Sequence, residues 1–170
     1  MTAMFPTNLP TASKPNGESF HLQRSKCVDA FALAEASVQA LLNGAKLKCT
    51  TEPFKQKIGM VKKLPANPQY SKARKLEVDN LASELESLLA LRADIVHSPM
   101  QIALIDGTAF ACFVNAKEAG ENAPFARLLG YNALKAVARQ VLQIANKLAE
   151  TKINPASSPP PPPPGAAGGP

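Results

Sequence analysis

The sequence has no tryptophan and only two tyrosines. A platform of aromatic rings on which bases could stack is therefore not expected. Its three cysteines, Cys27, Cys49 and Cys112, are odd in number and widely spaced. That spacing fits neither a disulfide framework nor a zinc site, and it points to reduced thiols in a cytoplasmic protein. Cys27 and Cys112 are expected to pack as small apolar residues. The sequence contains no Gly-rich phosphate loop, no Cys-x2-Cys pair, no His-Glu-x2-His and no Gly-x-Ser-x-Gly. Those motifs anchor nucleotide, metal and acyl-transfer chemistry, so no metal and no cofactor is expected. No run approaches the ~20 apolar residues needed to span a bilayer. Residues 1–17 also lack the apolar centre of a signal peptide. The expectation is a soluble, intracellular protein.

Proline and charge, by contrast, are plentiful and unevenly placed. Residues 1–17 hold Pro6, Pro10, Pro15, Asn8, Asn16 and Gly17, while residues 153–170 include the run Pro159 to Pro164. Such ends have no core to bury, so both are expected to be disordered tails around one domain spanning 18–152. The polyproline run also has the composition of a ligand for a proline-reading domain. The net charge is +6, but the segment from Lys46 to Lys75 holds nine basic residues against one acid, Glu52. That segment alone carries +8 and the rest of the chain −2. A cluster of this kind favours phosphate groups or an acidic surface, and a solvated lysine face is the plain alternative. Lys55, Lys57, Lys62 and Lys63 are the candidate phosphate-binding residues.

The apolar periodicity predicts a mainly α chain. A first helix should run from about Ser19 to Asn43, with Val28, Phe31, Ala34, Val38, Leu41 and Leu42 on one face and Gly44 as its stop. Thr50 or Thr51 should cap a short helix with Glu52 and Pro53 in its first turn. Its apolar stripe is Phe54, Ile58, Val61 and Leu64. A third helix should run from about Ser71 to Val96, some 39 Å in length. Asp106-Gly107 between alternating apolar runs predicts a β-hairpin over Met100 to Val114. A last helix is expected from near Pro124 to near Lys152, with Gly130 inside it and Leu128, Leu129, Val137, Val141, Ile144, Ala145 and Leu148 on its apolar stripe. The expected architecture is an up-down bundle of three long helices and one short helix, with the hairpin inserted before the last helix.

The residues that call for an explanation lie in Leu91-Arg92-Ala93-Asp94-Ile95-Val96-His97-Ser98. Arg92 falls on the apolar side of its helix, where an unpaired charge is costly. An arginine holds a phosphate through two parallel hydrogen bonds and keeps its charge. A histidine exchanges a proton near neutrality. Together they suffice to cleave RNA by attack of a 2′-hydroxyl on the adjacent phosphate. Arg92 would stabilise the added negative charge and His97 would move the proton.

An Arg-x4-His pattern at the end of a long helix resembles the signature of the HEPN superfamily. The resemblance rests on this motif in residues and on the bundle layout over about residues 19–150. It implies a compact helical bundle, in many members a metal-independent ribonuclease of toxin–antitoxin or phage-defence systems. Arg92 and His97 are then the catalytic positions, RNA the substrate, a homodimer the assembly and an antitoxin a protein partner.

Two further readings stand beside it: a non-catalytic helical interaction domain, and a basic accessory protein that binds nucleic acid without chemistry. In those readings Arg92 caps carbonyls or pairs with Asp94 or a glutamate of another helix, and His97 meets the helix dipole. On an ideal helix Arg92 and His97 lie about 140° apart. Distortion of the last turn, or a second chain, is what would bring the two groups together.

Overall fold

The computed structural model describes residues 15–49, 51–67, 70–120 and 123–151, with the backbone alone over 115–120 and 123–125. Among these residues the chain forms five helices and a three-stranded antiparallel sheet. The mainly helical expectation holds at that level. Apart from residues 15–17, the expected tails lie outside the described residues, as do Thr50 and Lys152.

Helix α1 spans Gly17–Gly44 and starts earlier than its apolar pattern suggests. Asn16 caps it by accepting from the Ser19 N–H at 2.9 Å, so Asn16 and Gly17 belong to the domain and not to a tail. Its stop also differs from expectation. Lys46, not Gly44, takes the left-handed conformation (φ 58°). The Lys46 and Leu47 amides return to Asn43 and Leu42, both at 2.9 Å. That reciprocal pair closes the helix without needing glycine. Helix α2, Phe54–Lys62, has Pro53 at its cap with no side-chain bond, so Glu52 and Pro53 precede the first turn.

The expected third helix is two helices, α3 (Lys72–Ser87) and α4 (Leu89–His97). At Leu88 the backbone relaxes to φ −93°, ψ −2°, and the Leu88 amide bonds Leu85 one residue short of the α pattern. Two serines explain the break without proline or glycine. Ser83 and Ser87 donate back to the carbonyls of Asp79 (2.8 Å) and Glu84 (2.7 Å), a habit that bends helices.

Strands β1 (Met100–Ile105) and β2 (Thr108–Gly120) form the expected hairpin. Asp106 (φ 49°) and Gly107 (φ 71°) both have the positive φ of a type I′ turn. The last helix departs most from expectation. Residues Ala123–Gly130 form a third strand, β3, paired with β2 from Phe110↔Gly130 to Val114↔Ala126. Helix α5 begins only at Tyr131 and runs to Ala149, with Gly130 as its extended cap. Leu128 and Leu129 therefore alternate across a strand: Leu129 packs on the core, and Leu128 faces outward on a row with Cys112. Cys112 is half-exposed on that outer face, contrary to expectation, while Cys27 and Cys49 are buried.

The core lies between α1 and α5, closed by α2, α3, α4 and the inner face of the sheet. Phe20, Phe31, Val38 and Leu42 of α1 meet Leu134, Val141, Ile144 and Leu148 of α5, and Phe113 enters from the sheet. Phe20 and Tyr131 meet edge to face at 5.6 Å, locking the starts of the two long helices together.

Tyr70 is wholly buried beside this core, and its hydroxyl has no partner among the described residues. Burial, reinforced by the Asp79 carboxylate, raises the phenol from 10.0 to about 12. Tyr70→Phe is expected to leave stability unchanged or raise it by up to about 1 kcal/mol, since a desolvated hydroxyl without a partner is removed. A raised folded-state value means that the stability gained from the neutral phenol is complete below pH ~10 and is lost as pH climbs towards 12. Denaturant unfolding of both proteins across that range should show a shallower alkaline decline for the phenylalanine variant. The part due to the Cys27 thiol, pushed up by burial to about 11, should remain in both.

Candidate functional site

The corner where α1, α2 and α4 meet holds Arg92. Its Nη2 lies 3.2 Å from Oε2 of Glu35 on α1, and the other Glu35 oxygen receives Lys57 Nζ of α2 at 3.3 Å. One carboxylate thus serves two cations. The Arg92 guanidinium carbon also sits 5.4 Å from the Phe54 ring centroid, a cation–π distance. Its Nε is buried and has no partner among the described residues. The apolar side of α4 therefore carries a charge because Glu35 approaches it from another helix.

His97 is the last residue of α4 and is exposed. Helical bonding persists through this turn, with the Ser98 amide donating to the Asp94 carbonyl at 3.1 Å. With the turn regular, His97 stays on a different side of α4 from Arg92. No hydrogen bond or ion pair among the described residues reaches it. The carbonyls that end α4 are taken by Arg24 of α1, whose Nε and Nη2 donate to Ile95 O (2.8 Å) and Ser98 O (2.9 Å). Those are the unpaired acceptors every helix C-terminus leaves. Asp94, almost fully buried, accepts from Arg127 Nε of β3.

The four candidate lysines are not one group. Lys57 is buried against Glu35. Lys62 pairs with Glu86 of α3 at 2.9 Å, which holds the Glu86 carboxyl below its usual range. Lys55 and Lys63 are exposed and flank a shallow depression with Gln56, Gly59 and Met60. Further along, Arg74 pairs with Glu77, and Lys75 with Asp79. Much of the basic segment's charge is therefore answered within the fold by the acids of α1 and α3.

Three side chains that hold this region together escaped the sequence reading: Glu35, Arg24 and Arg127. For the first two a signal existed. Arg24 stands four residues after Phe20, and Glu35 four after Phe31, so each lies on the apolar face of α1, as Arg92 does on α4. Arg127 was hidden by the assignment of its segment to a helix.

Among the described residues no group of three or more His, Cys, Asp or Glu side chains could hold a metal ion. No described helix is long and apolar enough to cross a membrane. Comparison of the chain with family models, curated proteins and solved structures finds no match.

Proposed function

We propose that the chain is a HEPN-like helical bundle that binds RNA and cleaves it without a metal ion, as proteins of toxin–antitoxin or defence type do. The observation that carries this reading is an exposed His97 at the end of α4 on the same short helix as Arg92, whose side chain is 24% exposed. A free imidazole at a helix C-terminus is suited to general acid–base work. A guanidinium that solvent still reaches can take a phosphate oxygen. The two groups lie on different sides of a regular helix, so the site calls for two copies of the chain, each lending one half. Lys55 and Lys63 add attraction for the phosphate backbone.

One observation favours a second reading, the non-catalytic one. Glu35 and Phe54 already give Arg92 a complete structural role, tying α4 to α1 and α2.

Incubation of the purified protein with RNA in EDTA separates the two. Under the catalytic reading wild type cleaves, and His97→Ala loses on the order of 100-fold or more in rate. His97 is exposed, so its removal should leave the unfolding midpoint unchanged, which keeps a folding defect out of the comparison. RNA left equally intact by wild type and variant overturns the catalytic reading. Binding that persists in both, and weakens when Lys55 and Lys63 become glutamate, would leave an RNA-binding accessory protein.

A further inference from the structure

Away from the motif, α1 and α5 leave an open groove of about 460 Å3 along their joint surface. Its floor is made of small residues, Ala30 and Ala138, and exposed Leu33 and Leu142 stand on its walls. Lys26, Lys135 and Arg139 line its rim against a single acid, Asp29. Gln23 also faces it. The residue as a whole is only 4% exposed, and no hydrogen bond among the described residues reaches its amide. Lining an open groove, that amide is left for water or an incoming polar group to bond.

We infer that this groove docks an amphipathic helix of a partner protein, with an apolar ridge flanked by aspartate or glutamate. The inference stands independently of the RNA reading. Two parallel walls of side chains, one from each helix, form the kind of furrow that takes the ridge of a third helix. Leu33 and Leu142 supply the apolar contact, the three rim cations select acidic flanks, and Gln23 bonds a polar group on the incoming helix. Leu22, 59% exposed and one turn from Lys26 on the same face of α1, extends the apolar track.

Charge removes the other occupants. A second copy packed groove to groove would set the same excess of rim cations against itself, and the acidic helix α3 of another copy already buries its apolar stripe in its own core. Neither residues 1–14 nor residues 152–170 contain an aspartate or glutamate, so the chain's own ends do not complement the rim. Nucleic acid would match the cations but would press a hydrated phosphate backbone onto leucine and alanine.

The test is selection from a phage-displayed library of random 16-residue peptides against the full-length protein. The enriched peptides should carry apolar residues at three- and four-residue spacing with acidic neighbours. Synthetic copies should lose at least tenfold in affinity for Leu142→Glu and for the double variant Lys135→Glu, Arg139→Glu. Circular dichroism and thermal unfolding of these surface variants should match wild type. Peptides with basic flanks restored by the double charge reversal would confirm that the rim selects charge. The inference is overturned if no enriched peptide is sensitive to Leu142→Glu, if the enriched peptides are basic for wild type, or if an RNA oligonucleotide displaces them. A dimer in light scattering that Leu142→Glu dissolves would equally overturn it in favour of a second copy.

Discussion

Glu35→Ala is expected to lower the unfolding free energy by about 3 kcal/mol, the scale of breaking a largely buried ion pair. The side chain of Lys57 is only 9% exposed and that of Arg92 24%. Without Glu35, two cations share a corner with no carboxylate between them. The loss stays at the lower end of that scale because water reaches Arg92. Urea unfolding of the variant measures it. Adding Lys57→Met should recover a good part of the loss, since the more deeply buried of the two charges is then gone. A loss under 1 kcal/mol would mean that Glu35 is not the hub of this corner. The same position bears on function. Glu35→Gln frees the Arg92 guanidinium, so RNA affinity should rise if Arg92 contacts phosphate and stay level if its role is structural.

The second large effect is expected at the sheet. Arg127→Ala removes a charge partner of Asp94, a carboxylate whose side chain is 3% exposed. The expected cost is about 3 kcal/mol, because the buried anion stays behind while the third-exposed arginine was the cheaper partner to solvate. Asp94→Asn in the Arg127→Ala background should restore part of that stability, although Asp94→Asn alone should destabilise. That reversal of sign in a double-mutant cycle is the signature of a buried charge that has lost its cationic partner Arg127, and a simple additive cycle would exclude it.

These two pairs also show where the sequence was informative. The apolar stripe of α1, the short α2 and the Asp106-Gly107 hairpin were all legible, because each depends on local periodicity or on a turn that needs positive φ. Arg92 was legible as a problem, since a cation on an apolar stripe demands a partner, but its partner Glu35 lies 57 residues away in sequence. The break at Leu88 was not legible, because its neighbours are good helix formers and the bend comes from two serines donating to backbone. The strand over Ala123–Gly130 was missed for a different reason. Pro124 and the leucines after it have the look of a helix start, and pairing with β2 overrides that local preference. Moving Gly130 from the interior of a helix to its cap follows directly.

The tethers of α4 carry a consequence for how the molecule opens. Arg92–Glu35 and the two Arg24 bonds fasten α4 to α1, and Asp94–Arg127 fastens it to the sheet. Towards α3 the chain passes through the relaxed turn at Leu88, while α3 itself is bonded to α2 through Lys62–Glu86 and through Lys75 to the Lys62 carbonyl. Although α3 and α4 read as one helix, their polar tethers run to different partners, so the two are expected to open separately. Transient opening of α3 would thus leave the Arg92–His97 segment seated on α1, whereas opening of α2 would also take Phe54 and Lys57 away from the Arg92 corner. Fluctuation of the sheet, in turn, would reach that segment through the buried Asp94 carboxylate as well as through the chain that leads from α4 into β1.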